Sequence, residues 1–218
     1  MNVLVIAAHL DDEVLGVGGT IARHVAAGDD VVVLNLCDRS TIHQRDVRMV
    51  ELLRAQSEEV KRLLGIAKYI YAGLRDEYLP DSLVKAIEPI EMAIASTSPD
   101  VIYTHHQHDV NQDHMAVFHA TLVATRAFSC KAHSIYSYEV LSSSEQAPAG
   151  MQFEPNHFVW IEPWLNKKIE AMRCYEQEMR AFPFPRSEVG IVALAQYRGM
   201  AAGLKCAEAF KTIRSVVK

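Results

Sequence analysis

The chain alternates short apolar runs with longer stretches in which apolar residues recur at helical spacing. Residues 2–8 are a run of strand length, and 16–28, opened by Gly16, Gly18 and Gly19 and closed at Gly28, have the spacing of a helix. The unit then repeats, with a strand over 31–36 and a helix over 46–64 that ends at Gly65. Residues 68–72 predict a third strand, 81–97 a helix, 101–104 a fourth strand and 113–127 another helix. Strands separated by helices imply a mostly parallel α/β sheet with right-handed crossovers.

Past about residue 130 the pattern is more irregular. Residues 134–140 and 157–161 read as strands, separated by a loop over 142–155 rich in serine, proline and glycine, long enough for a lid or an ordered excursion. A helix over about 163–180 follows, then Phe182-Pro183-Phe184-Pro185, and a final helix over about 188–213. No internal repeat interrupts the 218 residues, which are read as a single domain.

Half of the residues are hydrophobic, enough for a sizeable core. The balance of 22 basic against 27 acidic residues gives a net charge of -5, and no basic run is present to neutralise a phosphate backbone, so nucleic acid is not an expected partner. No apolar stretch approaches the ~20 residues of a membrane helix, and the first strand lacks the basic flank of a signal peptide. A cytoplasmic protein without membrane insertion is expected. Cys37, Cys130, Cys174 and Cys206 form no Cys-x-x-Cys pair and are read as buried thiols in a reducing compartment. Cys37 ends the second apolar run and falls at the same sheet edge as His9.

The chemistry is concentrated at two strand ends. Ala8-His9-Leu10-Asp11-Asp12-Glu13 follows the first strand and runs into Gly16-Val17-Gly18-Gly19. The fourth strand empties into Thr104-His105-His106-Gln107-His108-Asp109-Val110-Asn111-Gln112-Asp113-His114, where four of the ten histidines lie within ten residues. Both loops leave the carboxyl ends of parallel strands, where α/β sheets build their sites. A catalytic zinc takes three His or carboxylate ligands and keeps one position open. His9, Asp12 and His114 satisfy that count, and Asp11, which points away from Asp12, is left to accept a proton from the water at the metal. Asp113 and Asp109 are placed to orient the ligands, with an N-cap for the 113–127 helix as the rival role of Asp113.

These two motifs together resemble the signatures of the PIG-L/LmbE-like family of zinc-dependent sugar N-deacetylases. Arg54 with Leu64-Gly65-Ile66, then Gly73-Leu74-Arg75-Asp76, and finally Arg198-Gly199 with Ala207-Glu208-Ala209-Phe210 fall in the family's order. The resemblance implies a Rossmann-like three-layer α/β/α fold and one Zn2+ per chain on His9, Asp12 and His114, with Asp11 as the base. It also implies a small N-acetylated sugar conjugate as substrate, contacted through Arg54 and Asp76, and a homo-oligomer for which the apolar residues of 182–194 supply a contact surface. Three positions depart from the family: Leu10 stands for proline, Gln56 for glutamate, and Asn111 for a histidine credited with stabilising the oxyanion or donating a proton. An amide donates a hydrogen bond but no proton, so the expected mechanism gives Asn111 the oxyanion and makes Asp11 both base and acid. His106 or His108 takes the acid role if the loop folds inward.

Three rival readings stand beside this one. A nucleotide-binding module is disfavoured by the acids at 11–13, which repel a pyrophosphate. A phosphoesterase would use two metals, and a non-catalytic binding protein would keep the fold without the chemistry. The loops after residues 38, 74 and 142 are candidate determinants of specificity, and Arg39 in the first is read as a solvated loop arginine, with contact to an anionic aglycone as the alternative.

Overall fold

The computed structural model describes residues 1–38 and 47–217, so the specificity loop with Arg39 lies outside the described residues. In chain order the elements are β1 (Asn2–Ala7), α1 (Asp12–Ala26), β2 (Asp30–Asp38), α2 (Val47–Leu64), β3 (Lys68–Arg75), α3 (Leu83–Thr97), β4 (Val101–His105), α4 (Gln112–Ala124), β5 (Ser134–Tyr138), β6 (His157–Trp160), α5 (Leu165–Cys174), α6 (Glu188–Ala201) and β7 (Ala207–Ser215).

Seven strands form one sheet in the order β3-β2-β1-β4-β5-β7-β6. The first five are parallel, and β7 inserts antiparallel between β5 and β6. β1 is buried on both faces, which is why its sequence reads as an unbroken apolar run. Val3 and Val5 pack against apolar residues of α1, α2, α5 and α6, while Leu4 and Ile6 pack against those of α3 and α4. The result is a three-layer α/β/α domain. Because β1 lies between β2 and β4, the strand order reverses there, and the loops leaving β1 and β4 open into a common crevice.

Gly16 allows that crevice to close at the back. A β-carbon there would stand 2.2 Å from the ring of Tyr138, a fully buried residue whose hydroxyl donates to the Ile6 carbonyl at 2.8 Å. Gly16→Ala gains at most about 1 kcal/mol of helix preference against an overpacking cost of up to about 3 kcal/mol. A lower denaturant midpoint is expected, and an unchanged or raised one would contradict this packing role.

Several boundaries differ from the sequence expectation. α1 begins at Asp12, not at Gly16, because the carbonyl of Asp11 already accepts from Val14 and Leu15. The helix expected over 163–180 ends at Cys174 and is followed by a single turn at Glu176–Glu178. The final helix does not reach 213. It stops at Ala201, a turn with Gly203 at φ +72° reverses the chain, and 207–215 form β7. Ala207, Glu208, Ala209 and Phe210 are all buried there, with Glu208 accepting from Gly19 N, Thr20 N and Lys168 Nζ. The 182–194 segment exposes Phe182 and Val189. Among the described residues, no helix is long and apolar enough to cross a membrane.

Candidate metal centre

The β1–α1 loop and the start of α4 bring His9, Asp12 and His114 together. One ligand atom from each lies within 4.8 Å of the others. Asp12 sits between the two imidazoles, with Oδ2 3.4 Å from His9 Nδ1 and 3.3 Å from His114 Nε2. The His9 backbone N–H donates to the same oxygen at 2.8 Å, and His105 Nε2 lies 3.4 Å from it. His9 and His114 each turn one nitrogen to Asp12, and a carboxylate stands behind the other. His114 Nδ1 lies 3.2 Å from Asp109, while His9 Nε2 lies 3.0 Å from Asp76 and 3.3 Å from Asp113. Carboxylates on the outer nitrogens fix ring orientation and tautomer, the arrangement that accompanies metal-bound histidines.

The electrostatics favour positive charge. Burial alone would lower His114, but the carboxylates of Asp12 and Asp109 outweigh it and raise it to about 9. His9 is likewise raised, against its burial, by its hydrogen bonds to Asp113, Asp12 and Asp76. Burial works to raise Asp12 and Asp109, yet the neighbouring imidazoles hold Asp12 well below the carboxylate range and pull Asp109 down to about 2. A compact set of two imidazoles and a carboxylate, backed by three more carboxylates, fits a divalent cation with N and O ligands. Asp109 is itself anchored by Ser143 Oγ at 2.9 Å and Ser144 Oγ at 2.6 Å. Asp109→Asn is expected to weaken metal affinity by about 10–100-fold, read by competition with a chelating dye, and unchanged affinity would contradict the orienting role.

Asp11 stands apart from this cluster at φ 126°, a left-handed conformation that points its side chain into the crevice. Its backbone N–H donates to Glu13 at 3.0 Å. Glu13 faces the core, where it accepts from Tyr69 at 2.8 Å and Tyr175 at 2.7 Å. Burial pushes Glu13 up to about 7, against the pull of those hydrogen bonds. The third acid of the motif therefore braces the loop and does not enter the crevice.

Arg186 is the residue that sequence reading missed. Its Nη1 donates to Asp11 Oδ2 at 2.6 Å and to Glu178 at 3.1 Å, and its Nε donates to Ser142 at 2.6 Å. Its only sequence signal is its place between Pro185 and Ser187, the residue that caps α6 by accepting from Gly190 N at 3.0 Å. Ser142, Ser143 and Ser144 thus tie the 142–155 loop to the site as an ordered excursion.

Asn111 rather than Asp113 is the N-cap of α4. Its Oδ1 accepts from Asp113 N at 2.9 Å and His114 N at 3.4 Å, while Asp113 turns away to accept from Glu77 N at 2.6 Å and Leu79 N at 3.2 Å. Asn111→Ala is expected to cost about 0.5–2 kcal/mol of stability, measured by denaturant unfolding, and no change would remove its capping role. Arg54 binds Asp38 at 2.7 and 3.0 Å, and Asp38 lines the cavity. Gln56 is drawn into a reciprocal amide pair with Gln177 at 3.0 and 2.7 Å. His106 packs against His108 and Phe153, and neither histidine is among the residues lining the cavity. That cavity, of about 200 Å³, is lined by His9, Asp11, Cys37, Asp76, Asn111 and Arg186 among others.

Residues 4–125, more than half of the chain, match the PIG-L family, described as GlcNAc-PI de-N-acetylase. The chain belongs to the PIG-L family. Similarity to a diacetylchitobiose deacetylase of Thermococcus kodakarensis extends over 99% of this chain and 84% of that protein, at 27% identity. The fold is shared with the N,N'-diacetylchitobiose deacetylase of Pyrococcus horikoshii (TM-score 0.78, 21% identity, 97% of this chain and 83% of that one). It is shared equally with the 4-carboxy-2-hydroxymuconate hydratase GalB of Pseudomonas putida KT2440 (TM-score 0.81, 19% identity, 100% of this chain and 98% of that one). The PIG-L fold thus carries more than one chemistry, and the reaction must be argued from the site.

Proposed function

We propose that the whole chain is one metal-dependent amidohydrolase domain that removes the acetyl group from an N-acetylglucosamine-type sugar, releasing acetate and a free amine. The observation that carries this reading is the pairing of the His9, Asp12 and His114 donor set with a separate buried carboxylate, Asp11, on the wall of the same cavity. Family membership and similarity to a diacetylchitobiose deacetylase support it. His9, Asp12 and His114 would hold the metal, and the mixed N/O set with carboxylate-backed imidazoles suits Zn2+. When bound, the cation supplies Lewis acidity that polarises the amide carbonyl and lets water ionise near neutral pH.

The chain's own residues do the rest. Asp11 accepts a proton from the attacking water and returns it to the amine nitrogen as the C–N bond breaks, so one carboxylate serves as base and then as acid. Arg186 holds the Asp11 carboxylate in register, and Glu13 fixes the backbone that carries it. Asn111 has its carbonyl oxygen committed to the α4 cap, which leaves its amide N–H groups to stabilise the developing oxyanion. Asp76 meets the sugar hydroxyls from the cavity wall, and Arg54 positions the Asp38 carboxylate on that wall. The unpaired thiols of Cys37, Cys130, Cys174 and Cys206 accord with a reducing, cytoplasmic setting.

The test is a substrate panel assayed for acetate release, with N,N'-diacetylchitobiose and N-acetylglucosamine conjugates beside phosphate monoesters. Acetate from an N-acetylated sugar, with no phosphate released, is the expected result. Phosphate release in its place would support the two-metal rival and sink the deacetylase.

A further inference from the structure

His9 uses only its Nδ1 edge for the centre described above, and its other edge faces a second donor set. A ring nitrogen of His9, the Sγ of Cys37 and a carboxylate oxygen of Asp113 all lie within 4.8 Å of one another. Asp76 adds a fourth donor, with Oδ1 3.0 Å from His9 Nε2. Two carboxylates thus converge on a single ring nitrogen, although one acceptor suffices for one N–H. Asp113 is fixed there by the backbone N–H groups of Glu77 and Leu79. Cys37 is fixed as well, since its own N–H donates to the Ala8 carbonyl at 2.8 Å. Its side chain is only 2% exposed, lines the cavity, and its thiol makes no hydrogen bond among the described residues. A buried, unpartnered sulfur beside an imidazole and a carboxylate, with a second carboxylate on the same imidazole, is a soft donor set without an assigned occupant.

We propose that the chain carries a second, inhibitory site for a thiophilic divalent cation, formed by Cys37 Sγ, the outer nitrogen of His9 and the carboxylates of Asp113 and Asp76. Thiolate, imidazole and carboxylate together suit Zn2+ or Cd2+, whereas Mg2+ takes oxygen ligands and is not held there. Binding releases the thiol proton of Cys37 and the Nε2 proton of His9 to solvent, and both atoms then bond to the cation. It also takes Asp113 and Asp76 away from orienting His9 and places a cation in the wall of the cavity. Metal in excess of one per chain therefore inhibits. The inhibition rests on the deacetylase reading, while the binding does not.

The experiment titrates Cd2+ into protein preloaded with one equivalent of Zn2+ and follows the ultraviolet thiolate-to-cadmium charge-transfer band. Wild type is expected to develop the band with one further equivalent, and Cys37→Ser to develop none. In parallel, acetate release is measured against free Zn2+, each protein being scaled to its own rate at one equivalent. The half-inhibiting Zn2+ concentration is expected to rise at least about tenfold in Cys37→Ser. An equal band in Cys37→Ser, or inhibition that does not shift, overturns the second site. Absence of acetate at one equivalent of Zn2+ overturns the deacetylase reading alone, because the charge-transfer titration still reports on the cysteine.

Discussion

Asp11→Asn is expected to lower turnover by about 10²–10⁴-fold while the protein retains its full complement of metal. Asn keeps the shape of the side chain and tolerates the left-handed backbone at φ 126° better than most residues, so the fold is not placed under new strain. The substitution removes the group that accepts the proton and leaves His9, Asp12 and His114 in place. Its partner Arg186 also contacts Glu178 and Ser142 and so stays anchored. The check is kcat together with metal content on the same preparation. Loss of metal from Asp11→Asn would show that ligand and base have been assigned the wrong way round.

His114→Ala is expected to lose both metal and turnover. His114 is 1% exposed, held between Asp12 and Asp109 at 3.3 and 3.2 Å, and stacked on His105 with ring centroids 3.9 Å apart. Its removal leaves two candidate ligands where a catalytic zinc requires three. It also leaves Asp109 buried without the imidazole that offsets its charge and takes one of the imidazoles from Asp12, which destabilises the apo protein as well. Dialysed His114→Ala is expected to hold almost no metal and to show a depressed unfolding midpoint. Retention of one tightly bound metal would place the site elsewhere.

The two loops that build the site were legible because each follows a strand buried on both faces and precedes a helix. In that setting the position of a polar cluster along the chain also states its position in space. The convergence of His9, Asp12 and His114 needed no more than this. Arg186 was not legible, because it reaches Asp11 from 175 residues away along an aperiodic, proline-punctuated segment. β7 was misread because Ala207-Glu208-Ala209-Phe210 has the composition of a helix, and nothing local says that Glu208 is buried. Its partner Lys168 lies 40 residues earlier, and the backbone it caps lies in α1. Asn111 was read for its chemistry while its first structural duty is local, as the cap two residues ahead of the assigned one. In each case the missing information was a tertiary partner and not a local preference.

We attribute the proposed N-deacetylase activity to one metal at His9, Asp12 and His114. The most direct test strips the protein with a chelator and adds Zn2+ back stepwise, following metal bound per chain by mass spectrometry and acetate released from N,N'-diacetylchitobiose. Activity that rises in proportion to bound metal, and peaks at one per chain, is the predicted result. Acetate release that survives complete removal of metal, or none at one bound zinc per chain across the whole panel of N-acetylated sugars, would contradict it.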